Sequence, residues 1–347
     1  MTDHAEWRWV KRYAEQFKAC QVTEGEVAVL LHEAASSPEI VETARLAIEM
    51  IGAAVADVRM PTPANPGPLP IRSTGASQAL AAHRAAVAAC ATADFVVDCT
   101  AEGLLHAPEL GQILGGGARI LMISAEHPEN AERWPHDPSF KDKVDHGVGL
   151  IKAAAQMTIT SGAGTDLTVD LTDAFRAGSY GWCTEPGSIA HWPGGLVLAF
   201  PAANTVNGTV VLAPGDINLT FNEYLREAIT LTLENDYVVD IAGDSHDAEL
   251  MRSYLAAFEE PEAYAISHIG WGMNPAARWE ALAMWDKSAL NGTELRAFAG
   301  NVVFSTGANE VAGRFCRGHF DLPMRNCTVA LDGDVVVDEG KLRSDLL

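Results

Sequence analysis

The sequence predicts an α/β protein in two halves, a first half built on a mostly parallel sheet and a second, α+β half that carries the chemistry. Strand and helix patterns alternate through about the first 150 residues, and such alternation implies crossover connections between parallel strands. Beyond residue 155, short strand-like segments separated by Gly and Asn/Asp turns replace that alternation. We therefore expect an N-terminal α/β domain at 1–154 and a C-terminal catalytic domain at 155–347.

The elements of the first half have local sequence signals. Residues 26–31 (EVAVLL) have the composition of a buried strand, and 38–51 is amphipathic, with Pro38 at its start and Gly52 as a stop signal. The glycine cluster 115–117 precedes a strand, whereas a phosphate-binding loop follows a strand and opens a helix, so it predicts a turn. The remaining elements predicted here are a strand at 54–60, a helix at 76–90, and strands at 95–99 and 119–123.

In the second half, the sequence predicts mainly strands and one helix. The expected strands are 196–200, 209–212, 228–233, 237–242, 302–305, 327–331 and 335–337, and the expected helix is 248–259.

Charge and composition restrict the classes of partner. The net charge of −22 opposes binding to nucleic acid or to anionic membranes. No apolar segment approaches the roughly 18–20 residues of a membrane helix, and the charged N-terminus does not resemble a secretion signal, so a cytoplasmic protein is expected.

The six cysteines form no Cys-x-x-Cys pair, which argues against a zinc knuckle. Trp7 and Trp9, with the strongly apolar second half, predict a homo-oligomer.

The segment 318–323 (GHFDLP) contains the strongest chemical signal. On an extended strand alternate side chains share a face, so His319 and Asp321 would point the same way with Cα atoms roughly 6–7 Å apart. One cation can bridge two such side chains. The His-x-Asp pattern is short, however, and a hydrogen-bonded pair in the core is the structural alternative.

A third ligand is offered by His268, in the segment 265–275 (AISHIGWGMNP). Its glycines and proline predict a tight loop where the backbone is closely approached. His268, His319 and Asp321 together would make the two-histidine, one-carboxylate set typical of non-haem Fe(II) oxygenases, which leaves coordination positions open. Zinc held by the same side chains and a water is the competing assignment.

Several segments resemble the 2,5-dihydroxypyridine 5,6-dioxygenase family, the extradiol-type enzymes of nicotinate degradation. The resemblance is carried by 268–275 (HIGWGMNP), 296–307 (RAFAGNVVFSTG) and 319–327 (HFDLPMRNC). It extends to 104–106 (LLH) and to the EPG and HWP motifs within 185–193, and it covers nearly the whole chain in matching order.

The resemblance implies one Fe(II), held at His268, His319 and Asp321, and a hydroxylated pyridine as substrate. The family reaction opens 2,5-dihydroxypyridine with O₂ to give N-formylmaleamate. The resemblance further implies a proton-handling role for His106 and substrate-facing positions for Glu185 and His191.

The dioxygenase family is distantly similar to the two-metal aminopeptidase T group, which gives the expected fold and an alternative function. Those hydrolases share the Gly-x-Gly-x-Asn-Pro and His-x-Asp patterns. They have a glutamate where this chain has His268, and 219–222 (LTFN) lacks the glutamate expected near a second metal. A metal-dependent aminopeptidase or related hydrolase remains the alternative function, and a non-catalytic binding or assembly protein that retains a relic site is the third.

Overall fold

The first sheet is entirely parallel, as the alternating pattern predicts. The computed structural model describes residues 5–64, 77–123, 126–290 and 292–347. The sheet has the strand order β2-β1-β3-β4-β8, and β8 comes from the second half of the chain. Its strands are β1 (Val27–Glu33), β2 (Ala54–Met60), β3 (Phe95–Asp98), β4 (Arg119–Met122) and β8 (Ile189–His191).

Helices cover this sheet, and one of them starts later than predicted. Ser37 caps α2 by accepting the Ile40 N–H, and Gly52 ends α2 in the left-handed region at φ 90°, as predicted. The third helix starts at residue 84 instead of 76, because Ala82 has φ 63° and interrupts any helix upstream; residue 76 itself lies outside the described residues. The helices of this half are α1 (Trp7–Ala19), α2 (Pro38–Ile51), α3 (Arg84–Thr92), α4 (Leu110–Gly115), α5 (Glu129–Arg133) and α6 (Ser139–Ala153).

The second half contains two antiparallel sheets. One has the order β14-β13-β10-β6-β5-β18-β19-β20, the other has the order β17-β16-β15-β9-β7, and β11 and β12 pair separately. The strands are β5 (Gln156–Ser161), β6 (Asp166–Asp170), β7 (Phe175–Ser179), β9 (Leu196–Phe200), β10 (Val206–Leu212), β11 (Ile217–Asn218), β12 (Glu223–Tyr224), β13 (Ile229–Glu234), β14 (Tyr237–Ala242), β15 (Ile266–Gly272), β16 (Val302–Asn309), β17 (Arg314–Met324), β18 (Cys327–Leu331), β19 (Asp334–Asp338) and β20 (Lys341–Leu342). The helices are α7 (His246–Ala256), α8 (Ala281–Met284) and α9 (Thr293–Ala297).

The prediction of a loop around His268 is wrong, because this segment forms the central strand β15, which is buried at every position. Its glycines do serve close approach, as expected. A Cβ on Gly270 would lie 1.9 Å from the Val197 carbonyl oxygen of the adjacent strand, and one on Gly272 would lie 2.3 Å from the Phe298 oxygen. The glycines therefore let neighbouring backbone pack directly on the strand that carries His268.

Among the described residues, no helix combines the length and the hydropathy that a membrane span requires.

Candidate metal centre

Strands β16 and β17 bring the first polar side chains together. His319 and Asp321 alternate on β17 and are both buried, as strand geometry predicts. Ser305 on β16 lies directly opposite Asp321 and donates its hydroxyl hydrogen bond to the Asp321 Oδ1 atom. The His319 Nε2 atom lies 3.3 Å from the same oxygen.

His268 reaches this group from β15, the next strand of the sheet. Its Nδ1 atom lies 3.2 Å from the Ser305 hydroxyl oxygen, and its Nε2 atom lies 3.6 Å from Asp321 Oδ1. Because the single Ser305 proton is directed to Asp321, His268 donates from Nδ1 to Ser305. The Nε2 atom of His268 is then left with a free lone pair that faces the carboxylate.

A third histidine completes the cluster from the other half of the protein. His106 follows β3, and its imidazole, with those of His268 and His319, offers nitrogen atoms that all lie within 4.8 Å of one another. The rings of His106 and His319 have centroids 5.1 Å apart. The His106 Nδ1 atom lies 3.1 Å from Glu310 Oε1, and its Nε2 atom is buried without a hydrogen-bond partner.

The electrostatics of the cluster favour a charged carboxylate beside neutral imidazoles. Burial alone would raise the pKa of Asp321, but Arg296, whose Nε atom lies 2.5 Å from Oδ2, and His319 hold that pKa well below its usual value. Burial lowers the pKa of His268 strongly and also lowers the pKa of His319. The Asp321 carboxylate is therefore an anion that lies beside the neutral rings of His268 and His319.

The three histidines, with Asp321 beside His268 and His319, offer ligands for a cation. The Nε2 lone pair of His268 and the Oδ1 atom of Asp321 are both acceptors and face each other at 3.6 Å. Two buried acceptors repel each other unless a proton or a metal ion lies between them. Neutral imidazole and carboxylate are ligands for first-row divalent metals such as iron and zinc. The donor set therefore suits such an ion.

A cavity opens on the cluster, and most of its wall is apolar. His191, at the end of β8, lines it, and burial followed by the charge of Arg296 lowers the pKa of His191 to about 4. The lining residues are Leu105, Met122, His191, Leu196, Leu198, His268, Thr293, Arg296, His319 and Asp321. A cavity with a mostly apolar wall and a few polar groups suits a small molecule that carries polar substituents.

Comparison with known proteins identifies the family. The NicX family model, described as 2,5-dihydroxypyridine 5,6-dioxygenase, matches residues 8–344. The chain belongs to the 2,5-dihydroxypyridine 5,6-dioxygenase family. It is 38% identical over 327 residues to the 2,5-dihydroxypyridine 5,6-dioxygenase of Pseudomonas putida, covering 93% of this chain and 92% of that protein.

Solved structures agree with this membership. The structure of 2,5-dihydroxypyridine dioxygenase from Pseudomonas putida KT2440 superposes with a TM-score of 0.89 at 35% identity, covering 97% of each chain. AmpT from Thermus thermophilus superposes with a TM-score of 0.62 at 14% identity, covering 96% of this chain and 99% of that one. This second likeness concerns the fold alone and confirms the predicted relation of the dioxygenase family to the aminopeptidase T fold.

The segment 180–195 of this family member is divided between the cavity and the surface. His191 reaches the cavity, but Glu185 is exposed and is not among the residues that line it. Trp182 and Trp192 are buried in the main core, where Trp192 packs edge-on against Tyr13 with centroids 4.9 Å apart. The tryptophans therefore do not line the cavity, and no contact supports a substrate-facing position for Glu185.

Other polar groups support the cluster without any local sequence signal for that role, among them Arg296, Ser305 and Glu310. Arg296 lies within a segment used for the family resemblance, but its contact with Asp321 spans 25 residues of sequence. Ser305 contacts His268 across 37 residues, and Glu310 contacts His106 across 204. The two partners of each contact are too far apart in the sequence to share a local pattern, so the sequence alone does not show that they meet.

A buried network of charged and amide side chains supports the helix that carries Thr293 and Arg296. We call it the Arg133 network, and it consists of Glu126, Asn130, Arg133 and Glu294. Arg133 contacts both Glu294 oxygens, at 2.6 and 3.0 Å, and Asn130 donates to Glu126 at 3.0 Å. Glu126 accepts the Thr293 N–H at the start of α9. The network thereby fixes one wall of the cavity.

The buried carboxyl group of Glu126 should make the stability of the protein depend on pH. Burial, followed by the nearby charge of Glu294, raises the pKa of Glu126 from 4.5 to about 7. Between these values the folded protein binds more protons than the unfolded chain, so stability falls as the pH rises through that window. At about 1.4 kcal/mol per pH unit, the loss amounts to roughly 3 kcal/mol. We expect Glu126→Gln to reduce the dependence of the unfolding free energy on pH, measured by urea unfolding from pH 4.5 to 7.5.

The exposed Glu185 provides the matched control for this measurement. Glu185→Gln changes the same functional group outside the network and should keep the wild-type slope. An unchanged slope in Glu126→Gln would show that Glu126 does not titrate in this window.

Proposed function

We propose that the protein opens the ring of a hydroxylated pyridine with O₂ and that its substrate is 2,5-dihydroxypyridine, cleaved between C5 and C6 to N-formylmaleamate. The observation that carries this proposal is the convergence of His268, His319 and Asp321 on one buried cavity in a member of this family. Both oxygen atoms enter the product, so the reaction balances without an external reductant.

We propose Fe(II) as the metal, held by His268, His319 and Asp321. When bound, ferrous iron supplies the electron transfer to O₂ that no side chain here provides and that redox-silent zinc cannot supply. Two histidines and one carboxylate leave positions open for small molecules. Arg296 and Ser305 hold the carboxylate in place, and Ser305 also fixes the tautomer of His268, as outer partners of metal ligands usually do.

The cavity walls suit a flat ring with polar edges. Leucine and methionine side chains contribute apolar surface to the cavity wall. Arg296 places a cation at the wall, which favours an ionised oxygen on the substrate. We propose that His106, in the cluster, and His191, in the cavity wall, hold or move the protons that the substrate releases. Glu185 is left out of this proposal because it is exposed and does not line the cavity.

The alternative, an aminopeptidase-type hydrolase, requires a second metal with additional carboxylates. Asn222 lies in the segment where such a carboxylate is expected. Its side-chain amide donates hydrogen bonds to the backbone carbonyl oxygens of Lys287 and Leu290, both at 3.0 Å. This contact supports a single metal.

Oxygen consumption with metal analysis tests the proposal. Protein purified without oxygen should contain close to one iron per chain and should consume O₂ when 2,5-dihydroxypyridine is added. 2-Hydroxypyridine, which lacks the second hydroxyl group, is the control and should give no uptake. Two tightly bound metals per chain together with peptide hydrolysis would replace this proposal with the aminopeptidase alternative.

Self-association stays a prediction. Trp7 is 61% exposed, as that prediction requires, whereas Trp9 is buried in the core of the chain.

A further inference from the structure

We propose that Glu310 is a positioning residue, which holds the His106 imidazole with its proton on Nδ1 and its Nε2 atom available to the metal centre. The proposal concerns a contact between the two halves of the protein, since His106 follows β3 and Glu310 follows β16. It rests on the proposed role of His106 in handling protons.

The contact is close and involves both carboxylate oxygens. The His106 Nδ1 atom lies 3.1 Å from Glu310 Oε1 and 3.3 Å from Oε2. An ionised carboxylate can only accept hydrogen bonds, so the proton of a neutral His106 must be on Nδ1. The Nε2 atom then has a free lone pair, and it is buried with no other hydrogen-bond partner.

The backbone that carries Glu310 is held by its neighbour Asn309, which a positioning role requires. It opens the 3₁₀ turn Glu310–Ala312, and the Asn309 side chain accepts the Ala312 N–H across that turn at 3.2 Å. The Asn309 Nδ2 atom donates to the Pro201 carbonyl oxygen at 2.8 Å. This turn follows β16 directly, the strand that also carries Ser305, so one strand orients His106 and His268.

The exposures of the two side chains are unequal. The His106 side chain is 1% exposed, whereas the Glu310 side chain is 43% exposed. Exposed ion pairs contribute little because water replaces them readily. Here the imidazole is buried, so removing the carboxylate leaves Nδ1–H without its partner and allows the ring to turn or to change tautomer.

Kinetics of four variants test the proposal. In Glu310→Ala we expect kcat to fall roughly 10²-fold with little change in KM, the scale for losing a partner that orients a working histidine. Glu310→Gln keeps an acceptor oxygen and should recover part of this loss. Alanine at Glu310 should have no further effect in a His106→Ala background, because the effect passes through His106.

A spectroscopic measurement separates positioning from general structural damage. Metal-free protein labelled with ¹⁵N-histidine reports the tautomer of each ring by NMR. His106 should be protonated on Nδ1 in the wild type and should lose this preference in Glu310→Ala. Asp57→Ala is the matched control, because Asp57 pairs with His32 at 2.9 Å outside the cavity and its loss should leave kcat and the His106 signals unchanged.

The outcomes are distinguishable. Unchanged kinetics and tautomer in Glu310→Ala, together with an inactive His106→Ala, would overturn the role of Glu310 and leave the proposed function intact. Full activity in His106→Ala would instead remove the proton-handling role of His106, and the NMR tautomer would still decide whether Glu310 positions the ring.

Discussion

Alanine at His268, His319 or Asp321 should each abolish oxygen-dependent ring cleavage and empty the metal site. A site with three protein ligands loses most of its affinity when one is removed, since the remaining two leave the ion largely to water. The Asp321 variant should in addition be less stable, because it removes the carboxylate that the Nε atom of the largely buried Arg296 contacts at 2.5 Å. Metal content after purification without oxygen, and initial rates of O₂ uptake, measure both effects.

A histidine outside the cluster provides the control for these variants. His146 pairs with Asp345 at 2.9 Å and is 47% exposed, so His146→Ala should keep wild-type metal content and turnover. If any of the three cluster variants retained full iron and near wild-type rates, the affected residue would not be a ligand, and His106 would be the next candidate.

Arg133→Met should reduce the free energy of unfolding by about 3–5 kcal/mol, the range for breaking a buried ion pair and leaving one charge unpaired. Glu294 is 1% exposed and would be left in the interior without its bidentate partner. The Glu126 bond to the Thr293 N–H would be weakened as well, because Asn130 contacts both Arg133 and Glu126. We therefore expect a parallel fall in kcat/KM as α9 shifts.

Two further variants sharpen the Arg133 measurement. Arg343 forms exposed pairs with Asp334 and Asp345, and Arg343→Met should cost no more than about 1 kcal/mol. The double variant Arg133→Met with Glu294→Leu removes both charges, so it should be more stable than Arg133→Met alone. A double variant that is less stable would mean that the unpaired Glu294 charge is not the source of the loss.

The parts of this structure that follow from local rules could be predicted from the sequence. Buried strands between helices gave the parallel sheet, and period-two alternation put His319 and Asp321 on one face. Glycine content misled the prediction at β15, since Gly270 and Gly272 serve packing between strands and not a turn. Helix α1 was missed although its buried Val10, Ala14 and Phe17 have helical spacing.

The supporting contacts of the candidate site could not be predicted in the same way. Arg296, Ser305 and Glu310 take their partners from distant segments, and only the tertiary fold brings them within hydrogen-bonding distance. Trp182 and Trp192 lie in the segment 180–195, which also carries His191. Aromatic composition does not say which side of a segment faces the core, and both side chains pack there.

Strand β8 has a consequence for synthesis on the ribosome. The first four strands of the parallel sheet are complete at Met122, but the strand that covers the edge of β4 is Ile189–His191. At about 5–20 residues per second, a nascent chain spends seconds with that edge unpaired. An open, apolar edge is a template for other strands, so chaperone capacity during this interval should limit the yield of the protein in a foreign host.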